Sequence, residues 1–268
     1  MDDGSTDGTA EVVRAEFPSV HLERSETSTG YIVQRNRAAR LAGGDIIFSI
    51  DDDAEFSNPN VIEQTLRDFS DPRIGAVAIP YVEPRKDNQL RQSAPDASDA
   101  WVTDAYIGTA HALRRDVFLS LGGYREQLVH QGEERDYCLR MLEEGMVVRL
   151  GNSKPILHHE SPRRDFSRMD FHGRRNDILF VWQNVPSFYL PSHLLGTTLN
   201  GISSAVRAGR YRKMLQGIVS GYGGCFNRKN ERRPVSPEIY RLHRSLKRHG
   251  PQLLQDMGQQ LPPLSSDL

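Results

Sequence analysis

Three adjacent carboxylates, Asp51-Asp52-Asp53, follow directly on a short apolar run, DIIFSI. Charges this close repel one another unless a cation sits among them. Hard divalent cations such as Mg²⁺ or Mn²⁺ take oxygen ligands and often keep one or two carboxylates plus substrate phosphates. If the apolar run is a buried strand, the acids stand at its carboxyl end, where open α/β sheets bind ligands. An acidic turn capping the next helix is the plainer reading of the same residues. A second acidic loop, Asp2-Asp3-Gly4-Ser5-Thr6-Asp7-Gly8-Thr9, also runs into a helical pattern. Alone it is explained by turn and cap chemistry. If both loops follow strands of one sheet, they line one site together.

A third acidic segment opens with Glu133, Glu134 and Asp136, just after Gly132. Carboxylates favour the first turn of a helix, where the dipole stabilises them by about 0.3–1 kcal/mol. A carboxylate projecting from a helix start can equally serve as a general base. His158-His159-Glu160 offers imidazole and carboxylate groups to a metal. Neighbouring strand side chains point to opposite faces, so at most one His meets the site, and His158 is the choice. Arg174-Arg175-Asn176 is a further candidate for phosphate contact, with surface solvation as its default.

These groups need elements to position them. Residues 6–16, 32–41, 60–69, 116–121 and 133–144 carry helical periodicity, several with glycine stops. Residues 20–22, 45–50, 74–79, 105–112 and 147–150 read as strands, and 83–100 as a polar loop. Strands alternating with helices predict an α/β fold, a mainly parallel sheet flanked by helices. After about residue 165 the pattern becomes helical and amphipathic, then basic, and from Gln252 it turns Pro-, Gln- and Ser-rich.

The chain has 268 residues, 37% hydrophobic and 26% charged. Such a chain can bury a core without staples, which excludes a disordered, collagenous or disulfide-framework protein. Two cysteines, Cys138 and Cys225, cannot build a four-cysteine zinc site and suggest a reducing compartment. No apolar run approaches the roughly 18–20 residues of a membrane span. Residues 205–250 hold twelve Lys and Arg against Glu231 and Glu238, a net +10, so the rest of the chain carries −11. That asymmetry implies attraction to something anionic. The acidic body of the chain itself, with a basic helix packed on the catalytic domain, is the plain reading; an anionic membrane surface is the functional one, and nucleic acid is not expected because no recognition motif is present.

Taken in order, DDGSTDGT, Arg35-Asn36 before Gly43-Gly44, DIIFSI entering DDD, TAHALRRDVFLSLGGYRE at 109–126 and GEERDYCLRMLEEG at 132–145 resemble glycosyltransferase family 2, over about residues 2–180. The resemblance implies a GT-A-like, Rossmann-like domain over 1–165, a helical basic extension over 166–250 and a disordered tail over 251–268. It implies transfer of a sugar from a nucleotide diphosphate donor, UDP- or dTDP-type, to a hydroxyl of a glycan or lipid-linked precursor. The reaction would be inverting and would need Mg²⁺ or Mn²⁺. Asp2, Asp3, Arg35, Asp51 and Asp52 match donor-binding positions, with Asp3 on the base and Asp52 near the ribose. Asp53, assisted by Asp51 and His158, matches the metal site. Glu134 matches the catalytic base, with Glu133 and Asp136 as neighbours able to take the role, and Glu stands where the family often has Asp. His111 and Arg114 lie in the acceptor-side segment.

The family normally opens with a strand and loop before DDGS, whereas here Met1 stands where that strand should end. A sheet lacking that strand would leave an open edge. A non-catalytic remnant that binds nucleotide sugar or a partner is therefore the alternative function, and a metal-dependent hydrolase built on the acids and the His pair is a third. The expected location is cytoplasmic, peripheral on the inner face of the membrane.

Overall fold

The computed structural model describes residues 1–159 and 165–264. In chain order the elements are α1 (Thr9–Glu16), α2 (Tyr31–Leu41), β1 (Ile46–Ile50), β2 (Ala54–Phe56), α3 (Val61–Arg67), β3 (Ile74–Ala78), β4 (Tyr81–Val82), β5 (Trp101–Thr103), β6 (Ala110–Arg114), α4 (Arg115–Ser120), α5 (Glu133–Glu143), β7 (Val147–Leu150), β8 (Ile156–His158), α6 (Phe166–Asn184), α7 (Leu190–Ala208), α8 (Tyr211–Cys225), α9 (Pro237–His249), β9 (Gln252–Leu253) and α10 (Leu254–Met257). Six strands form one sheet in the order β1-β6-β3-β7-β5-β9, and β2-β8-β4 form a smaller one.

The large sheet is mixed. β3 and β7 pair in parallel, while β6 runs against both β1 and β3, and β5 against both β7 and β9. The expected parallel character therefore holds for the central pair. The strand anticipated at 105–112 is displaced to Ala110–Arg114, and Trp101–Thr103 forms a separate strand before it. Residues 20–22 form no strand; the nearby ladder is a single bridge between Asp2 and Arg24.

Apolar residues at helical spacing cover the sheet. Ile32 and Ala39 of α2, Val117 and Phe118 of α4, and Tyr137 and Met141 of α5 share one buried cluster with Ala76, Leu113 and Val148. A second cluster joins Ile74, Val102 and Val147 to Leu139 of α5, Val181 of α6 and Ile239, Leu242 and Leu246 of α9. The basic extension is thus built into the core of the sheet domain. α9 achieves this with an apolar face at 239, 242 and 246, leaving its arginines and lysines to the other side.

The tail beyond Gln252 corrects the expectation of disorder. Gln252 and Leu253 pair with Val102 and Trp101, and Met257 and Leu261 are buried in the second cluster. Four apolar residues in ten, Leu253, Leu254, Met257 and Leu261, outweigh the polar composition around them. Residues 265–268 lie outside the described chain. If this segment is core, Met257→Ala lowers unfolding stability by about 2–5 kcal/mol, the usual cost of emptying a buried Met site. Denaturant melts of the two forms decide it, and equal midpoints would return the tail to solvent.

Candidate active site

Strand register assembles the acidic cleft. Because β1 and β6 are antiparallel with Ile50 opposite Ala110, the residues after β1 meet those before β6. Asp51 therefore stands beside Gly108. The next two residues turn into β2, whose Ala54 lies opposite His158 of β8. That pairing carries Asp53 to His158, with Asp53 Oδ1 3.3 Å from His158 Nε2, and the His159 amide donates to the Asp53 carbonyl at 2.7 Å. One ligand atom from each of Asp51, Asp53 and His158 falls within 4.8 Å of the others. Two carboxylates and an imidazole suit a divalent ion such as Mg²⁺ or Mn²⁺. His158 Nδ1 is buried without a hydrogen bond, and Glu83 Oε1 approaches it at 3.7 Å. A carboxylate this near the outer nitrogen favours the cationic or ion-bound imidazole electrostatically, without a hydrogen bond to it. His159 turns instead to Glu55 at 2.9 Å, and Glu160 lies outside the described residues.

Arg35 spans the cleft from α2. Its guanidinium donates to Asp51 Oδ1 at 2.5 Å and to the Gly108 carbonyl at 3.1 Å, lies 3.7 Å from Glu133, and covers the Tyr31 ring at 5.0 Å. Glu134 lines the same cleft as Arg35, Asp51, Asp52, Asp53 and His158, a cavity of about 510 Å³. A Cβ at position 108 would collide with Glu134 Oε1 and crowd Arg35, so only glycine leaves room for this approach. Glu133 points inward and is 0% exposed, with both carboxyl oxygens unpartnered. Burial, reinforced by the Glu134 charge, pushes the Glu133 carboxyl up to about 8. Burial raises Glu134 too, against the pull of Arg35. The two acids form a coupled pair of which one member faces the cleft.

The turn ahead of α5 sets that orientation. Val129, Gln131 and Gly132 all have positive φ, at 65°, 67° and 89°. Such backbone persists for non-glycine residues only where the surroundings enforce it. Here Asn176 of α6, 2% exposed, donates toward the carbonyls of Leu128, His130 and Gln131 at 2.7–2.9 Å, and the Tyr31 hydroxyl accepts from the Gln131 amide at 2.8 Å. Asn176 is therefore a clamp on this turn rather than a surface phosphate contact. Arg174 and Arg175 are also engaged within the protein, with Asp177 and the Gln127 carbonyl.

Other candidates lie away from the cleft. The Asp3 carboxylate accepts from Ser28 Oγ, the Thr29 and Gly30 amides and Gln34 Nε2, which hold its pKa far below the ordinary range despite partial burial, and it ties the start of α2. Asp2 is bound to the Ser5 amide and Arg24. Asp136, the alternative base, is held inside the protein by Arg125, Arg140 and Asn184 and does not line the cleft. His111 is buried beneath the cleft floor, stacked on Tyr106 and bonded to Tyr124 Oη at 3.0 Å. Arg114 binds the carbonyls of Ile74 and Phe69 at the far end of its strand. Neither of these two reaches the cavity. Tyr31, Gly108, Thr109, His130, Gln131 and Met169 do line it, though none was singled out from sequence. For His130 and Gln131, the unusual closeness to the acidic helix start was the available signal; Gly108 and Met169 offered none.

Residues 1–122 match the model of Glycosyl transferase family 2. The O-antigen chain rhamnosyltransferase WbaN of Salmonella anatum is 24% identical over 238 residues, spanning 74% of this chain and 75% of that protein. Among solved structures, the mannosyltransferase PcManGT from Pyrobaculum calidifontis, in complex with GDP-Man and Mn²⁺, superposes with a TM-score of 0.55 at 17% identity, over 84% of this chain and 76% of that one. S. aureus TarS 1-349, in complex with UDP-GlcNAc, gives 0.57 at 13% identity, over 85% and 72%. Over residues 1–122 the chain is similar to family 2 glycosyltransferases, and its fold is the GT-A fold of these solved structures.

The donor set around Asp53 makes a direct expectation. Calorimetric titration with Mn²⁺ should show saturable binding by the native chain, weakened on the order of 10–100-fold or more in Asp53→Ala. Unchanged affinity in the variant would place the ion elsewhere.

Proposed function

We propose that this glycosyltransferase moves a sugar, with inversion, from a nucleotide diphosphate donor of UDP or dTDP type to a hydroxyl of a cell-envelope glycan or lipid-linked precursor. The observation that carries the reading is the meeting, in one cleft, of the Asp51–Asp53–His158 cluster with Glu134. Asp51, Asp53 and His158 would hold the ion, and Asp52, which also lines the cleft, is left free for the ribose. A divalent ion there, Mg²⁺ or Mn²⁺, would offset charge on the leaving diphosphate.

Glu134 takes the proton from the acceptor hydroxyl as its oxygen attacks the anomeric carbon. The new carbon–oxygen bond forms as the bond to the diphosphate oxygen breaks, and the diphosphate leaves with the electron pair. Glu133, sealed behind Glu134, adjusts the charge of the base without touching substrate, and Arg35, which lines the cleft, adjusts it from the donor side. Arg35 also keeps Asp51 in place between the two halves of the site. The relative WbaN, an O-antigen chain rhamnosyltransferase, supports an envelope-glycan acceptor.

A peripheral position on the cytoplasmic face of the membrane fits the α7–α8 hairpin. Leu195, Leu199, Ile202 and Val206 on α7, and Leu215, Val219 and Tyr222 on α8 with Phe226 capping its end, are exposed at the same 4-3-4 spacing. Arg207, Arg210, Arg212 and Lys213 are exposed around the turn that joins the helices. Apolar stripes flanked by cations bind anionic bilayer surfaces from the side. Among the described residues no helix is long and apolar enough to cross a membrane. The native chain should co-sediment with anionic vesicles more than with neutral ones and less as salt rises, because exposed charge is screened within about 10 Å at 0.1 M. Leu199→Ser with Val219→Ser should release it. Equal binding to both vesicle types, or to neither, removes the membrane from the proposal.

The base makes a sharper test. Glu134→Gln should retain donor binding and lose on the order of 10²–10⁴-fold in turnover, the usual worth of a general base. Glu133→Gln should retain most of it. Burial raises Glu134, and a base acts only when deprotonated. Turnover of the native chain should therefore rise with pH along a limb above the ordinary glutamate value of 4.5. If Glu134→Gln transfers sugar as fast as the native chain, another group is the base.

A further inference from the structure

A second cavity, of about 450 Å³, lies between α5, α6, α7 and α9 and shares no lining residue with the acidic cleft. Its charge is one-sided. Arg135, Arg244 and Lys247 face it, with Asp177 as the one carboxylate among the lining residues. Asp177 is already compensated twice, by Arg135 and by Arg174, each at 3.1 Å. Among the described residues neither Arg244 nor Lys247 has a carboxylate within ion-pair distance.

The wall and floor are built rather than incidental. The Arg135 guanidinium lies 4.2 Å over the Phe180 ring, which fixes its plane, and its Nε is buried without a partner. The Tyr240 hydroxyl and His193 Nδ1 are hydrogen-bonded at 2.9 Å. His243 lines the cavity at 3% exposure, and its Nε2 has no hydrogen-bond partner. Burial, followed by Lys247, Arg135 and Arg244, pushes His243 down to about 3; burial, then Arg244, Arg135 and Lys247, takes His193 to about 4. Like charges gathered around unpartnered donors cost free energy unless an anion joins them. Guanidinium and ammonium groups converging on one cavity match the several acceptor oxygens and double charge of a phosphate group.

We propose that this cavity binds a phosphate monoester, held by Arg135, Arg244 and Lys247 over His243. Two sources share that chemistry, the monoester headgroup of phosphatidic acid and a soluble sugar phosphate. The outer face of α7, one step around the helix from the lining residues His193, Gly196 and Asn200, carries the exposed Leu195 and Leu199, so a headgroup could enter from beside the apolar stripe. Calorimetric titration of the full chain with inorganic phosphate at low ionic strength tests the site. Saturable binding is expected, weakened at least tenfold in Arg244→Gln with Lys247→Met and unaffected by Asp53→Ala. Both rim residues are exposed, so circular dichroism of the double variant should match the native chain. Dihexanoyl phosphatidic acid and glucose 1-phosphate separate the sources: tighter binding of the first assigns a headgroup, tighter binding of the second a sugar phosphate. No saturable phosphate binding, or equal affinity in native and double-variant chains, overturns the proposal.

Discussion

Four carboxylates, those of Asp51, Asp52, Asp53 and Glu134, line one cleft with Glu133 buried behind them, and Arg35 is the one Lys or Arg among the described residues that line it. Its guanidinium touches both groups of acids. Without it, Asp51 and the Glu133–Glu134 pair would repel one another through a partly dehydrated space, where unit charges interact far more strongly than in water. Arg35 projects from α2, which packs through Ile32 and Ala39 on the same core as α4 and α5. The cation is therefore anchored by the hydrophobic core, and the cleft inherits its geometry from that packing.

The helices after the sheet contribute more than a cover. Asn176 of α6 holds the turn of positive φ that aims Glu134 outward and Glu133 inward. α9 and the segment to Leu261 close the second hydrophobic cluster, and β9 adds a strand beyond β5. The basic charge of residues 205–250 is divided by this packing. Part lies at the α7–α8 turn beside exposed apolar residues, and part rims the cavity at Arg244 and Lys247. One compositional signal thus resolves into two surfaces with different chemistry.

Much of this was legible in the residues themselves. The apolar run into Asp51 marked a strand end, Gly43-Gly44 and Gly145 marked helix stops, and the ordered motifs pointed to glycosyl transfer. These signals are local, because backbone propensity and turn chemistry act over a few residues. Trp101–Thr103 escaped because a three-residue strand has too little alternation to register. The tail from Gln252 reads as disordered because composition averages over the few apolar residues that find a core.

The sequence by itself determined the acids, their order and the reaction class they suit. Only the tertiary structure decided which acids meet. The β1–β6 register brings Asp51 to Gly108, the β2–β8 register brings Asp53 to His158, and Asn176, more than 40 residues along, holds the turn before Glu133. It also withdrew Asp136, His111 and Arg114 from the cleft by giving each an internal partner. A side chain's partners depend on pairing and packing between distant segments, and no local pattern of residues encodes the register in which two strands will lie.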